Sequence, residues 1–313
     1  MTQDAFQTSR RLRENIESVL FGKNEVVEML VVAMLAGEHI LLEDVPGVGK
    51  TLAAKALAHS LDGKFSRLQF TPDLLPSDIT GSMIYRSDRQ EFEFSPGPIF
   101  ANVVLADEIN RAPPRTQSAL LEAMSEGSVS VDGTTHPLPR PFIVVATQNP
   151  FEFEGTYALP ESQLDRFLLR CSLGYPDRRW EQQVLLTHRS GEPVDRLAAV
   201  ATVDSIVEAQ SVVRDVVFDP SLVGYLLDVV EATRNHPGFE FGVSTRGALS
   251  FYRGCQARAI SQSRDFVTPD DIKALAVATL SHRVVHGGIF QGASRQAVEK
   301  QIAEILQTVV VPT

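Results

Sequence analysis

The stretch Val45-Pro46-Gly47-Val48-Gly49-Lys50-Thr51 decides how the rest of the chain is read. It follows the apolar run His39-Ile40-Leu41-Leu42 and opens an apolar pattern of helical period, which predicts a strand, a glycine loop and a helix. In such a loop successive backbone N–H groups point inward at phosphate oxygens, and the following helix adds its positive N-terminal end. Lys50 is expected to place an ammonium against the β- and γ-phosphates, and Thr51 to offer its hydroxyl to Mg²⁺. One position departs from the pattern G-x-x-x-x-G-K-[ST]: Asp44 stands where the first glycine is expected. A carboxylate there is compatible with a phosphate cradle only if it turns away from the phosphates.

Nucleotide hydrolysis also needs a metal-holding carboxylate on a neighbouring strand. Asn102-Val103-Val104-Leu105-Ala106-Asp107-Glu108 supplies one: an apolar run ending in two acids reads as a buried parallel strand with the acids at its carboxyl end. Ligands bind at that edge of open α/β sheets, so Asp107 is expected to face the cation held by Thr51. Glu108 is then placed to polarise an attacking water. A third apolar strand, Phe142-Ile143-Val144-Val145-Ala146, runs into Thr147-Gln148-Asn149-Pro150, and Asn149 is a candidate to hold that water or to sense the γ-phosphate. Arg166, in Leu164-Asp165-Arg166-Phe167, and Arg246, in Ser244-Thr245-Arg246, suit stabilisation of phosphoryl charge, because guanidinium forks match phosphate oxygens.

Taken in order, Pro46 to Thr51, Asp107-Glu108-Ile109-Asn110-Arg111, Ala146 to Pro150, Leu164 to Phe167 and Ser244 to Arg246 resemble the MoxR family of AAA+ ATPases. The segments Arg67 to Gly81 and Ala119-Leu120-Leu121-Glu122-Ala123-Met124 carry the same resemblance, which runs from about Leu20 to about His286. It implies ATP or ADP with Mg²⁺ as ligands, held by Pro46, Gly47, Val48, Gly49, Lys50, Thr51 and Leu52, with Thr51 and Asp107 on the metal. It makes Glu108 the general base, Asn149 sensor 1, Arg246 sensor 2 acting on its own subunit's nucleotide, and Arg166 an arginine finger acting on a neighbour's. Arg170 is a second finger candidate, and Gln69 a candidate to couple Glu108 to subunit contacts. Gly22, in Val19-Leu20-Phe21-Gly22, is expected to let the adenine base approach closely; a staple and turn ahead of the next helix is the alternative reading.

Composition agrees with this class. A chain of 313 residues exceeds the size at which one core usually keeps growing, so two domains are expected. Two cysteines, Cys171 and Cys255, argue against a disulfide framework and for a reducing, cytoplasmic setting. The polar stretch Met1 to Glu14 has no apolar signal region, and the strongest apolar run, Met29 to Ala36, is too short to span a bilayer and reads as a buried helix. A net charge of −10 disfavours general attraction to nucleic acid.

Alternating strands and helices up to Tyr175-Pro176-Asp177 predict an α/β fold: an AAA+ αβα core with a parallel sheet over residues 1–176. Helical patterns then predict a small all-helical lid over residues 177–313, with the last lid helix running from Pro269 to His286 and a further helix in the tail. His282 and His286, four apart on that helix, suggest a metal pair only weakly, since no carboxylate completes the set. Two inserts remain. Residues 84–98 look like the helix-2 insert of an AAA+ clade, with Phe92 and Phe94 as exposed aromatics. Residues 127–140, turning at Asp132-Gly133, form a hairpin. Both are expected at a central pore, in contact with a client.

The resulting expectation is an ATP-hydrolysing homo-hexameric ring that remodels or matures partner proteins, among them proteins with a von Willebrand factor A domain. A chelatase-type motor subunit shares the same motifs. A nucleic-acid motor fits less well, because Gly127 to Pro139 contains no Lys or Arg.

Overall fold

The structure is a computed structural model that describes residues 1–150, 155–187, 189, 191–286 and 295–312. Five parallel strands make its central sheet: β1 (His39–Glu43), β2 (Phe65–Gln69), β3 (Val103–Asp107), β4 (Ile143–Gln148) and β5 (Phe167–Cys171), in the spatial order β5-β1-β4-β3-β2. Because strand side chains alternate, each central strand feeds two cores. Ile40, Leu42, Val103, Leu105, Ile143 and Val145 face one apolar cluster, while Leu41, Val104, Ala106, Val144 and Ala146 face the other. Near-continuous apolar runs therefore mark strands covered on both sides.

The first face is covered by α1 (Thr2–Glu17), α2 (Asn24–Ala36) and α3 (Lys50–His59), the second by α4 (Pro114–Glu126). Helix α2, which contains the apolar run singled out above, is buried between the sheet and the C-terminal helices and stops at Gly37 in the left-handed conformation, φ 69°. The C-terminal region is built from α5 (Arg178–Thr187), α6 (Val203–Arg214), α7 (Pro220–Arg234), α8 (Thr245–Ser261), α9 (Pro269–Leu280) and α10 (Arg295–Thr308). Capping residues fix several starts: Thr202 accepts from the Ser205 amide, Asp219 from the Ser221 amide and Ser244 from the Gly247 amide. The apolar cluster on the first face continues without a break into α6 to α9.

Helix α9 ends at Leu280, short of the expected His286, and the reason lies in the next residues. Arg283 turns inward, pairs with Asp165 at 2.9 Å and donates to the carbonyls of Phe167 and Leu168 at 2.7 and 3.0 Å. His282 Nε2 meets the same Phe167 carbonyl at 2.8 Å. These contacts dock the helical region on β5 and break the periodicity. Val285–His286 then forms a short antiparallel pair with Phe239–Phe241, so the C-terminal region is not all-helical, and the two histidines share no helix face. No group of three potential metal ligands occurs among the described residues.

Both inserts are β-hairpins. The first pairs Gly81–Arg86 with Glu91–Pro96, after a short helix at Pro76–Thr80. Phe92 is 66% exposed, with Ile84 and Tyr85 also out in solvent. Phe94 is not exposed as expected: its ring stacks on His136 of the second hairpin, with centroids 3.9 Å apart. That hairpin pairs Ser128–Val131 with Thr134–Pro137 across Asp132 and Gly133, at φ 47° and 77°, as a tight turn requires.

His39 opens β1 and is buried. Its Nδ1 accepts from the Val144 amide at 3.0 Å and its Nε2 reaches the Met124 carbonyl at 3.1 Å, which assigns the neutral Nε2–H tautomer. Burial, only partly offset by the Met124 carbonyl, pushes its pKa down to about 4. A histidine whose folded pKa is depressed gives stability that is complete above its unfolded pKa and lost as pH falls toward the folded one. Denaturation in urea should therefore show about 2 kcal/mol less stability at pH 5 than at pH 7 from this residue alone. His39→Gln should remove that step; an unchanged pH profile in the variant would assign the loss to other groups.

Candidate nucleotide-hydrolysing site

The carboxyl ends of β1, β3 and β4 meet at one edge of the sheet. The loop after β1 is shaped by Gly47 and Gly49, at φ 83° and 101°. A Cβ on Gly47 would meet nothing within 4 Å, so glycine is needed there for the backbone conformation and not for space. Gly49 caps α3 without any side-chain bond to the first-turn amides. Those amides and the helix dipole are the anion-binding elements expected of the loop. Lys50 points back along it, donating Nζ to the carbonyls of Asp44, Val45 and Gln148, the last two at 3.2 Å. Burial draws its pKa below the ordinary lysine value, against the pull of Asp44, Asp107, Glu108 and Glu43.

Asp44 turns away from the cradle. Its carboxylate accepts from Ser172 Oγ and the Gly174 amide, both at 2.6 Å, and from the Val45 amide at 2.8 Å. Burial alone would raise its pKa, but these donors outweigh it and hold the carboxyl below its usual value. The residue in place of the first glycine thus fastens the phosphate loop to the end of β5.

Asp107 and Glu108 are arranged by Gln69, named above as a partner of Glu108, and by Arg67 and Thr147, which the sequence reading did not single out. Thr147, buried near the end of β4, donates its hydroxyl to Asp107 Oδ1 at 2.7 Å and accepts the Glu108 amide at 2.9 Å. Arg67 on β2 donates to Asp107 Oδ2 from Nε at 3.2 Å and from Nη2 at 2.6 Å. Gln69, two residues on and hence on the same side of that strand, donates to Glu108 Oε2 at 3.0 Å, and Arg111 Nε lies 3.2 Å from the same oxygen. Glu108 itself sits at φ 58°. Asn149 follows β4 directly, and its carbonyl accepts from Asn110 Nδ2 at 3.4 Å. Lys50, Asp107, Glu108 and Asn149 therefore share one edge. The donor set fits a magnesium nucleotide: free first-turn amides and an ammonium for phosphate oxygens, a carboxylate and the Thr51 hydroxyl for a hard cation. Gly22 adopts φ 68°, with Trp180 packed over it.

The arginines divide differently from expectation. Arg170, on β5, faces inward: it is 12% exposed, lies 3.6 Å from the buried Glu43 and reaches Ser281, so its guanidinium is engaged within its own chain. Arg166 precedes β5 and rests on α4, donating to the Leu121 carbonyl at 2.8 Å and to the Ser125 hydroxyl. Arg246 was expected to close over its own subunit's nucleotide, and the structure places it elsewhere. It lines, with Arg166, Glu38 and Arg253, a cleft of about 350 Å³ at the edge where the strands begin. Ser244, which caps α8, also donates to Asp165 at 3.1 Å, and this contact anchors the start of α8 beside Arg166. The strand length, roughly 15 Å at about 3.3 Å per residue, separates that cleft from the chain's own phosphate loop.

The profile described as the ATPase family associated with various cellular activities (AAA) matches residues 39–169, and that of the AAA lid domain matches residues 231–308. The protein YeaC of Bacillus subtilis is 48% identical over 96% of this chain and 93% of its own. Chaperone MoxR1 of Mycobacterium tuberculosis is 40% identical over 97% of this chain and 82% of its own. The crystal structure of a candidate ATPase from Cytophaga hutchinsonii superposes with a TM-score of 0.89 at 36% identity, covering 99% of this chain and 98% of that one. The profile matches, together with similarity to these relatives over nearly the whole length, show that the chain belongs to the MoxR family of AAA+ ATPases.

Proposed function

We propose that this ATPase works as a homo-hexameric ring in which each ATP is hydrolysed between two subunits, and that the cycle remodels or matures partner proteins. One subunit supplies the Pro46–Leu52 cradle with Lys50, and Thr51 and Asp107 hold Mg²⁺, which neutralises phosphate charge when bound. Glu108 takes the proton of the attacking water, fixed in place by Gln69 and Arg111, and Asn149 orients that water. Arg166 and Arg246 of the next subunit stabilise the charge that develops on the transferred phosphoryl group. The observation that carries this reading is the placement of both arginines in one cleft at the far edge of the sheet from the cradle.

The remodelling role draws support from the printed name of the relative Chaperone MoxR1, and the exposed Phe92, Tyr85 and Ile84 give the first hairpin an apolar surface for a client. Partners with a von Willebrand factor A domain are included on family resemblance. A cytoplasmic place of action fits the two unpaired, buried cysteines. Among the described residues, no helix is long and apolar enough to cross a membrane. A nucleic-acid motor is disfavoured, since the hairpin at Asp132-Gly133 offers no cation to a phosphate backbone.

Glu108→Gln should retain ATP binding and lower kcat by at least about a hundredfold. Loss of ATP binding instead would make Glu108 structural. Lys50→Ala and Arg166→Ala, each inactive alone, should regain activity when mixed one to one. Random placement in a ring leaves about a quarter of the sites with an intact cradle facing an intact arginine. No recovery, with assembly confirmed by light scattering, defeats shared sites. Single- or double-stranded DNA should leave the ATPase rate unchanged at physiological salt, and a several-fold stimulation would reverse the assignment of client class.

A further inference from the structure

Arg295, the first residue of α10, reaches the end of β1, where the phosphate loop begins. Its Nη1 donates to the Glu43 carbonyl at 3.1 Å and to Glu43 Oε2 at 3.2 Å. Its Nε pairs with Glu299, one turn along the same helix, at 2.6 Å. Val298, Ile302 and Ile305 bury the apolar face of α10 in the larger core, so the arginine is carried by a packed helix.

Glu43 is buried and stands immediately before Asp44. Arg170 of β5 approaches the same Oε2 at 3.6 Å, and the other carboxylate oxygen accepts from Gln148 Nε2 at 2.7 Å. Gln148 is the sheet partner of Glu43, and its carbonyl is one of the three that hold Lys50 Nζ. A continuous run of contacts therefore joins Lys50 to Gln148, Glu43 and Arg295, and so the phosphate loop to a C-terminal helix of the same chain.

The run is built to respond to phosphate. An ammonium has three N–H donors, and the three carbonyls engage them all, so a phosphate oxygen must displace at least one. Glu43 is also among the acids that attract Lys50. When Lys50 turns to phosphate that attraction weakens, and Arg295 and Arg170 become the main counter-charges of a buried carboxylate, so α10 is held more firmly. Among the described residues, Gln148 Oε1 and Arg170 Nε are buried without a partner, which leaves the cluster capacity for a second arrangement. Fastening α10 alone does not call for buried charge, since apolar contacts of similar size often stabilise as well.

We propose that Arg295 is a positioning residue for the phosphate loop of its own subunit: it holds Glu43 at the root of the loop and so links nucleotide binding at Lys50 to the docking of α10. The inference rests on the reading of Pro46 to Leu52 as the cradle, and its test separates the two. Linkage is reciprocal, so ADP must stabilise α10 to the extent that α10 strengthens ADP binding.

The test measures ADP binding to the full chain by calorimetry, and hydrogen exchange over residues 295–308 with and without saturating ADP. In the wild type, ADP should slow exchange in α10. Arg295→Gln should weaken ADP by about twofold to thirtyfold and remove that slowing. Because one nitrogen makes both contacts with Glu43, Arg295→Lys should keep the slowing and an ADP affinity within about twofold of wild type. The wild-type exchange stands by itself: ADP bound with α10 unchanged overturns the proposal and leaves the cradle intact. Unchanged ADP affinity in Arg295→Gln, or equal losses in the Gln and Lys variants, also overturns it. Failure of the wild type to bind ADP overturns the cradle assignment and the inference with it.

Discussion

Short parallel strands keep the phosphate loop at one edge of the sheet and the Arg166–Arg246 cleft at the other, and the remaining features follow from that separation. A rigid sheet buried on both faces cannot fold back to bring its two edges together. In the proposed mechanism the protein therefore needs a second copy to complete its chemistry. The contacts that anchor the arginines are correspondingly strong. Asp165, the residue before Arg166, receives the Ser244 hydroxyl and the buried guanidinium of Arg283 at once. The start of α8 and the end of α9 are thus fixed to the same turn. Arg246, on the first turn of α8, is thus tied to the turn that carries Arg166.

Much of this was legible in the sequence because it is written in local pattern. The run ahead of Val45, the acids closing Val103 to Asp107 and the apolar stretch before Asn149 each announce a strand end, since only a strand buried on two faces needs continuous apolar residues. Asp44 was readable in part: its chemistry forbids it to face phosphate, and only the fold reveals Ser172 and Gly174 as its partners. Arg246 was misplaced because periodicity gives the start of α8 but not the edge of the sheet on which that start lands. Phe94 was read as exposed because His136, its stacking partner, comes from a separate hairpin 42 positions later in the chain.

Arg67 and Thr147 escaped for a related reason. Each is an ordinary strand residue by type, and its importance arises from register. Gln69 pairs with Asp107 across the sheet, which sets Arg67 and Gln69 alongside the two acids on consecutive same-side positions. Thr147 ends a run of apolar residues where a valine would satisfy the pattern equally well, but only a hydroxyl can both donate to Asp107 and accept from Glu108. Register is the property that sequence periodicity leaves unspecified between strands far apart in the chain.

Glu108 adds a last constraint. A non-glycine residue at φ 58° costs on the order of 1 kcal/mol, so its neighbours must hold it there. The Thr147 hydroxyl fixes the backbone amide, while Gln69 and Arg111 fix the carboxylate from either side. Two side chains therefore fix one carboxylate oxygen while a third holds the backbone, and such restraint is what a general base requires to meet a water at a fixed place. Of the elements that supply them, β2 is an edge strand, paired with β3 alone, and it carries both Arg67 and Gln69. An edge strand of the sheet thus sets the Arg67 guanidinium on Asp107 and the Gln69 amide on Glu108. A shift of β2 would reach both acids together, whereas the phosphate loop, clamped through Asp44 to the opposite edge, would stay in place.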